Sequence, residues 1–181
     1  MPEQTIGAHF LESALDELRR TKALAEKTID QLSDEELHWV PDSEANSVVI
    51  NVKYMAGNMR SRWTDFLTTD GEKPWRGRDD EFVDDIGSLE KLMDMWQEGR
   101  RVTFSAIEPL TEDDLLETVT VRQEPHTVLQ AIHRQVSHYA YHVRQIAYIA
   151  KQLKAQDWDS LSIPKNRYSW LTALALHHLR A

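Results

Sequence analysis

Cysteine is missing from all 181 residues, so neither a disulfide nor a thiolate metal ligand is available to the fold. The same absence leaves the redox compartment open. No run of about 18 apolar residues occurs, and the first residues, MPEQTIGAHF, lack a basic stretch followed by an apolar one. Neither a membrane span nor export is therefore expected, and the expected location is cytoplasmic. Positive charge is scarce: 21 Lys and Arg against 30 Asp and Glu give a formal net charge of -9. Nonspecific nucleic-acid affinity comes from basic side chains displacing counterions, so nucleic acid is not an expected partner. The length fits a single domain, residues 1–181, large enough to bury a hydrophobic core without covalent staples.

What is present is helical periodicity. From Ile6 to Leu32 apolar residues recur at Leu11, Leu15, Leu18, Ala25, Ile29 and Leu32, the spacing of one helical face. Ser33, three residues before Glu36, forms a capping-box pattern that predicts a short helical turn before Pro41. A second long helix is expected from Asn46 or Ser47 to about Thr68, with Gly57 and Ser61 leaving a flat strip for another helix to approach. "TTDGEKPWRGRDDEF" then breaks the pattern as one long loop, of the kind that is more often functional or mobile than incidental. A third helix runs from a cap at Ser88 to the stop at Pro109, weakened in its centre by Gly99. "ETVTVRQEPHT" alternates as a small hairpin, and the fourth helix extends from Thr127 to about Leu153. "NRYSWLTALALHHLRA" allows one more short helix. Four long helices joined by medium connections predict an all-α fold, a four-helix bundle.

The fourth helix carries "HRQVSHYAYHVRQ". Residues four apart lie one turn apart on the same face, so the imidazoles of His138 and His142 converge on one point. Such a pair is a half-site for a divalent transition metal, with a further ligand required from a facing helix. His133 is rotated roughly 140° from His138 and belongs on the surface. The alternative stays open at this point: with Gln135 and Gln145 flanking the same face, the pair is equally readable as an internal hydrogen-bond network or a solvated stripe.

"NVKYMAGNMRSRWTDFLTTDGEKPWRGRDDEF" and "EPHTVLQAIHRQVSHYAYHVRQIAYIAK" together resemble the DinB/YfiT-like superfamily, in particular its branch of small bacterial proteins, over about residues 5 to 165. The resemblance implies a bundle of up-down-down-up topology, often a homodimer. It also implies a metal centre of three histidines, one from the second helix and two from the fourth, and an activity such as thiol-dependent S-transfer with a low-molecular-weight thiol. His138 and His142 match the fourth-helix pair. Tyr54 stands where relatives usually carry the third histidine, in "KYMAGN" for "KHMAGN". A neutral phenol is a poor zinc ligand, so Tyr54 binds as phenolate, or only hydrogen-bonds a metal-bound water, or the site is empty. Arg144 departs from the glycine that relatives often carry.

Asn51 and Asn58, three before and four after Tyr54, are candidate pocket residues together with Gln145, although the two asparagines equally suit each other. Trp63, Trp75 and Trp96 are readable as pocket walls or as plain core. Arg60, Arg62, Arg76 and Arg78 concentrate positive charge around the long loop, for an anionic substrate or for pairing with Asp79, Asp80 and Glu81. His177 and His178, adjacent in sequence, point too far apart to chelate alone. Two functions remain in view. One is a metal-dependent transferase or hydrolase-like enzyme, its zinc, nickel or manganese held by His138, His142 and Tyr54. The other is a bundle that has lost its metal and serves as a binding or structural protein.

Overall fold

A computed structural model describes residues 5–162. Four long helices dominate it: α1, Ile6–Ile29; α3, Val48–Trp63; α4, Leu89–Ile107; and α5, Val128–Lys154. A single helical turn, α2, spans Asp34–Leu37, and a two-stranded antiparallel hairpin pairs β1, Thr118–Val121, with β2, Glu124–Thr127. Each start is set by a side-chain oxygen that takes up an orphan backbone N–H. Thr5, Ser33, Ser47, Ser88 and Thr127 all accept in this way, and Ser33–Glu36 and Thr127–Gln130 close full capping boxes. The segment "NRYSWLTALALHHLRA" lies outside the described residues.

α1 packs on α5 and α3 on α4, while α3–α5 and α1–α4 contacts close the ring. The protein is thus mostly helical, with its core between these four elements. Leu18, Ile29, Met55, Met59, Leu92, Trp96, Ile132 and Ile146 are among the side chains sealed there, and apolar burial of this kind is the dominant stabilising term. No described helix is long and apolar enough to cross a membrane.

Three details depart from the sequence reading. α1 ends at Ile29 rather than Leu32, although Leu32 is still buried. α3 stops at Trp63, well before Thr68: Thr64 turns extended at ψ 125 and Asp65 adopts φ 48. The turn follows from anchoring, because the Trp63 indole donates to Tyr139 Oη at 3.0 Å and Phe66 folds back on the Trp63 ring at 4.6 Å. The small strip on α3 receives the long loop instead of a helix. Ser61 Oγ donates to Gly71 O and accepts from Lys73 N, each at 3.0 Å, and Glu81 sits against Gly57. The close helix–helix approach is made by Gly99 of α4, whose Cβ would meet the Ala56 backbone at 3.2 Å.

That loop is well tied. Asp70 accepts the backbone N–H groups of Glu72, Arg122 and Gln123, and Gly71 N donates to Thr120 O. The hairpin turn needs this help, since Arg122 and Gln123 hold φ of 54° and 65°, a region disfavoured for side chains other than glycine.

Candidate functional site

α3 and α5 run in opposite directions across the site, so that Asn51 meets His142 and Tyr54 meets His138. His142 Nδ1 lies 3.1 Å from Asn51 Oδ1. The Asn51 amide nitrogen is already committed to the Ser47 and Asn46 carbonyls, so its oxygen faces the imidazole and Nδ1 is the donor. The His142 tautomer is thereby fixed, with the lone pair on Nε2. His138 Nε2 is 3.5 Å from Tyr54 Oη, the outer limit of a hydrogen bond, while its Nδ1 is buried without a partner. The two imidazole centroids are 4.8 Å apart, and the Tyr54 ring stands 5.7 Å from one and 5.0 Å from the other.

Both imidazoles are held neutral. Burial pushes His138 down to about 4, helped by repulsion from His142 in its protonated form and by the charges of Arg62, Arg134 and Arg76, and burial alone lowers His142. The Arg76 guanidinium lies over the Tyr54 ring at 5.5 Å and is gripped by Glu81, Nε at 2.8 Å and Nη2 at 2.7 Å, with Glu72 behind at 3.4 Å. At the rim, half-exposed Phe82 meets the Tyr54 ring at 5.5 Å, and exposed Tyr141 meets His142 at 5.2 Å.

The remaining candidates fall elsewhere. Asn58 is 3% exposed and accepts from Tyr139 Oη at 3.3 Å inside the core. Gln145 lines a surface hollow with Pro41, Tyr141, Arg144 and Tyr148. His133 is exposed. Trp63 and Trp96 are core residues, whereas Trp75 is exposed with Arg60 5.6 Å from its ring. Arg78 points to solvent, as do Asp79 and Asp80; Arg76 is internally paired. His177 and His178 lie outside the described residues. The part of Arg76, Phe82 and Tyr141 in building this cluster had no local sequence signal beyond charge and aromaticity.

Two donors bound at about 2.0–2.1 Å to a tetrahedral ion lie about 3.4 Å apart. The 3.5 Å between Tyr54 Oη and His138 Nε2 has that spacing, and the bare Nε2 of His142 is oriented by an outer hydrogen bond of the sort that supports metal-ligating histidines. One pair of the candidate donors thus has the spacing that a divalent ion requires. The set is lean: among the described residues no three His, Asp or Glu side chains form a metal-binding group, and the third donor falls to Tyr54.

Fold and site define a mostly helical protein with a recessed cluster of two histidines, a tyrosine and an asparagine between two long helices. Over residues 5–167 the sequence matches the family described as Protein of unknown function (DUF1572), and the chain belongs to it. No curated protein matches the sequence.

Proposed function

We propose that the chain is a single-domain, DinB-like four-helix bundle of up-down-down-up topology. In this reading it is a divalent-metal-dependent enzyme whose centre is His138, His142 and Tyr54, acting as a thiol-dependent S-transferase or a hydrolase-like protein in the cytoplasm. The observation that carries the proposal is the Asn51–His142 hydrogen bond, which leaves Nε2 of His142 unprotonated on a ring 4.8 Å from that of His138 and 5.0 Å from that of Tyr54. A bound zinc, nickel or manganese ion supplies a Lewis acid that lowers the pKa of a thiol or water. The chain's own residues do the rest. Burial keeps both imidazoles neutral, Asn51 fixes one tautomer, and Phe82 and Tyr141 flank the approach. With no cysteine in the protein, the thiol belongs to a low-molecular-weight substrate. A homodimer is part of this reading.

A second reading has its own support. Three guanidiniums, Arg62, Arg76 and Arg134, act on His138, a field that opposes a dication, and a phenol fills the third ligand position. That favours a metal-free binding or structural bundle. Elemental analysis of tag-free protein purified without chelator separates the two, with His138→Ala and a truncation before His177 alongside. About one equivalent of metal, lost in His138→Ala and kept in the truncation, supports the enzyme reading. In direct titration Tyr54→His should bind zinc or nickel more tightly by restoring a third imidazole. No metal after incubation with zinc, nickel or manganese, and no gain in Tyr54→His, refutes it.

A further inference from the structure

Arg62, in the last turn of α3, is 2% exposed, and its Nε and Nη1 are buried without a hydrogen-bond partner. A guanidinium stays charged at any physiological pH, so these are charged donors left empty, and buried charges are ordinarily paired. The two carboxylates that act on it electrostatically are Glu72 and Asp70, and both are engaged. Asp70 takes three backbone N–H groups, and Glu72 takes Arg122 Nε at 3.1 Å and Arg76 Nη1 at 3.4 Å. Arg134 and Arg122 add further positive charge around Arg62. Gln135, beside Arg134 on α5, is 3% exposed with Oε1 unpartnered.

The other buried arginine without hydrogen bonds is a different case. Arg100 also has empty nitrogens, but its charge lies against the Trp96 ring at 4.3 Å and the Tyr139 ring at 5.5 Å, contacts that attract a cation. Among the described residues no ring is so placed at Arg62. Its charge is instead felt together with that of Arg134, which is exposed to solvent.

We infer that Arg62, with Arg134 beside it, is an anion-binding site that takes the carboxylate or phosphate group of a small molecule. Guanidinium donors form their strongest hydrogen bonds with such groups, and a low-dielectric surrounding strengthens them. The site borders the histidine pair, since Arg62 and Arg134 both act on His138, but it needs no metal there. In a protein with net charge -9 it gives an anionic ligand a local point of entry.

The test uses the full chain, freed of metal with chelator, so that its outcome is separate from that of the metal reading. Melting temperature is followed against sodium formate and against sodium phosphate, each compared with sodium chloride at matched ionic strength. A ligand that binds only the folded protein raises the melting temperature in step with occupancy. One of the two anions should give a saturable rise beyond chloride; formate identifies a carboxylate site and phosphate a phosphate site. Arg62→Met should abolish the rise and, without anion, be at least as stable as the parent, because methionine fills the space and needs no counter-charge. Arg134→Ala, a surface change, should weaken the same anion severalfold in a calorimetric titration, which decides the matter if Arg62→Met does not fold. Equal responses to all three salts, or a rise undiminished in Arg62→Met or, failing that variant, in Arg134→Ala, overturns the inference.

Discussion

Gly57→Ala tests the seat of the long loop. Alanine normally stabilises a helix relative to glycine by about 1 kcal/mol, and Gly57 lies well inside α3. Here a Cβ would fall 1.9 Å from Glu81 Oε1 and 2.6 Å from Glu81 Cδ, distances at which the carboxylate must move. It is not free to move cheaply. The Arg76 and Glu81 side chains are 1% and 8% exposed and face each other in a two-bond fork. Breaking a buried pair by displacing one partner costs about 3–5 kcal/mol. The remaining contact from Glu72 to Arg76 at 3.4 Å places the present case at the low end, about 3 kcal/mol. Set against the helix gain, Gly57→Ala should destabilise by about 2 kcal/mol, read as a lower denaturant midpoint with unchanged slope. The same substitution made in Glu81→Ala should instead stabilise by up to about 1 kcal/mol, because the group it strikes is gone. A coupling of about 3 kcal/mol across this cycle is the signature. If Gly57→Ala is neutral or stabilising with Glu81 in place, Glu81 does not rest on α3 and the account of the loop fails.

Two further outcomes follow from the interior. In chelated protein the folded pKa of His138 lies near 4, below its ordinary 6.5, so the unfolded chain binds more protons in between. Stability should be complete above about pH 6.5 and fall as pH drops towards 4, and His138→Gln should flatten that part of a melting-temperature profile; an unchanged profile refutes the burial of a neutral imidazole. Tyr139→Phe removes the oxygen that accepts from Trp63 Nε1 at 3.0 Å and leaves a buried donor unpaired, a loss of about 2 kcal/mol; chemical denaturation showing less than about 0.5 kcal/mol would mean that the indole has another partner.

Much of the scaffold was legible because its signals are local. Apolar residues at steps of three and four marked the long helices, and Ser33, Ser47, Ser88 and Thr127 cap where their side-chain chemistry says they should. The end of α3 was not legible: Trp63, Phe66 and Leu67 continue a helical spacing, and only the distant Tyr139 hydroxyl, with Asp65 in the left-handed region, turns the chain there. Gly57 and Ser61 announced a close approach without saying by what, since the answer is a loop residue 24 positions beyond Gly57. At the site, spacing brought His138 and His142 together correctly, and Asn51 fell within reach. Asn58, placed on the same face by counting, bonds inward to Tyr139 because it is sealed in the core.

The reason α3 carries so much of the chemistry is its position. Twelve of its sixteen residues are buried, so its polar side chains are not there for solubility and each needs an internal partner. Asn51 finds His142, Asn58 finds Tyr139, Lys53 finds Asp85 and the Val83 carbonyl, and Ser61 finds the loop. Tyr54 belongs to the same set: Phe82 and Arg76 from the loop and both imidazoles of α5 surround its ring. The residue at position 54 is therefore read by the loop as well as by the histidines. Replacing the phenol with imidazole would alter the aromatic face under Arg76 at the same time as it supplied a new nitrogen donor. Tighter metal binding in Tyr54→His should consequently come with a weaker hold on the loop, and the two effects separate in Tyr54→Phe, which keeps the ring under Arg76 and removes only the oxygen.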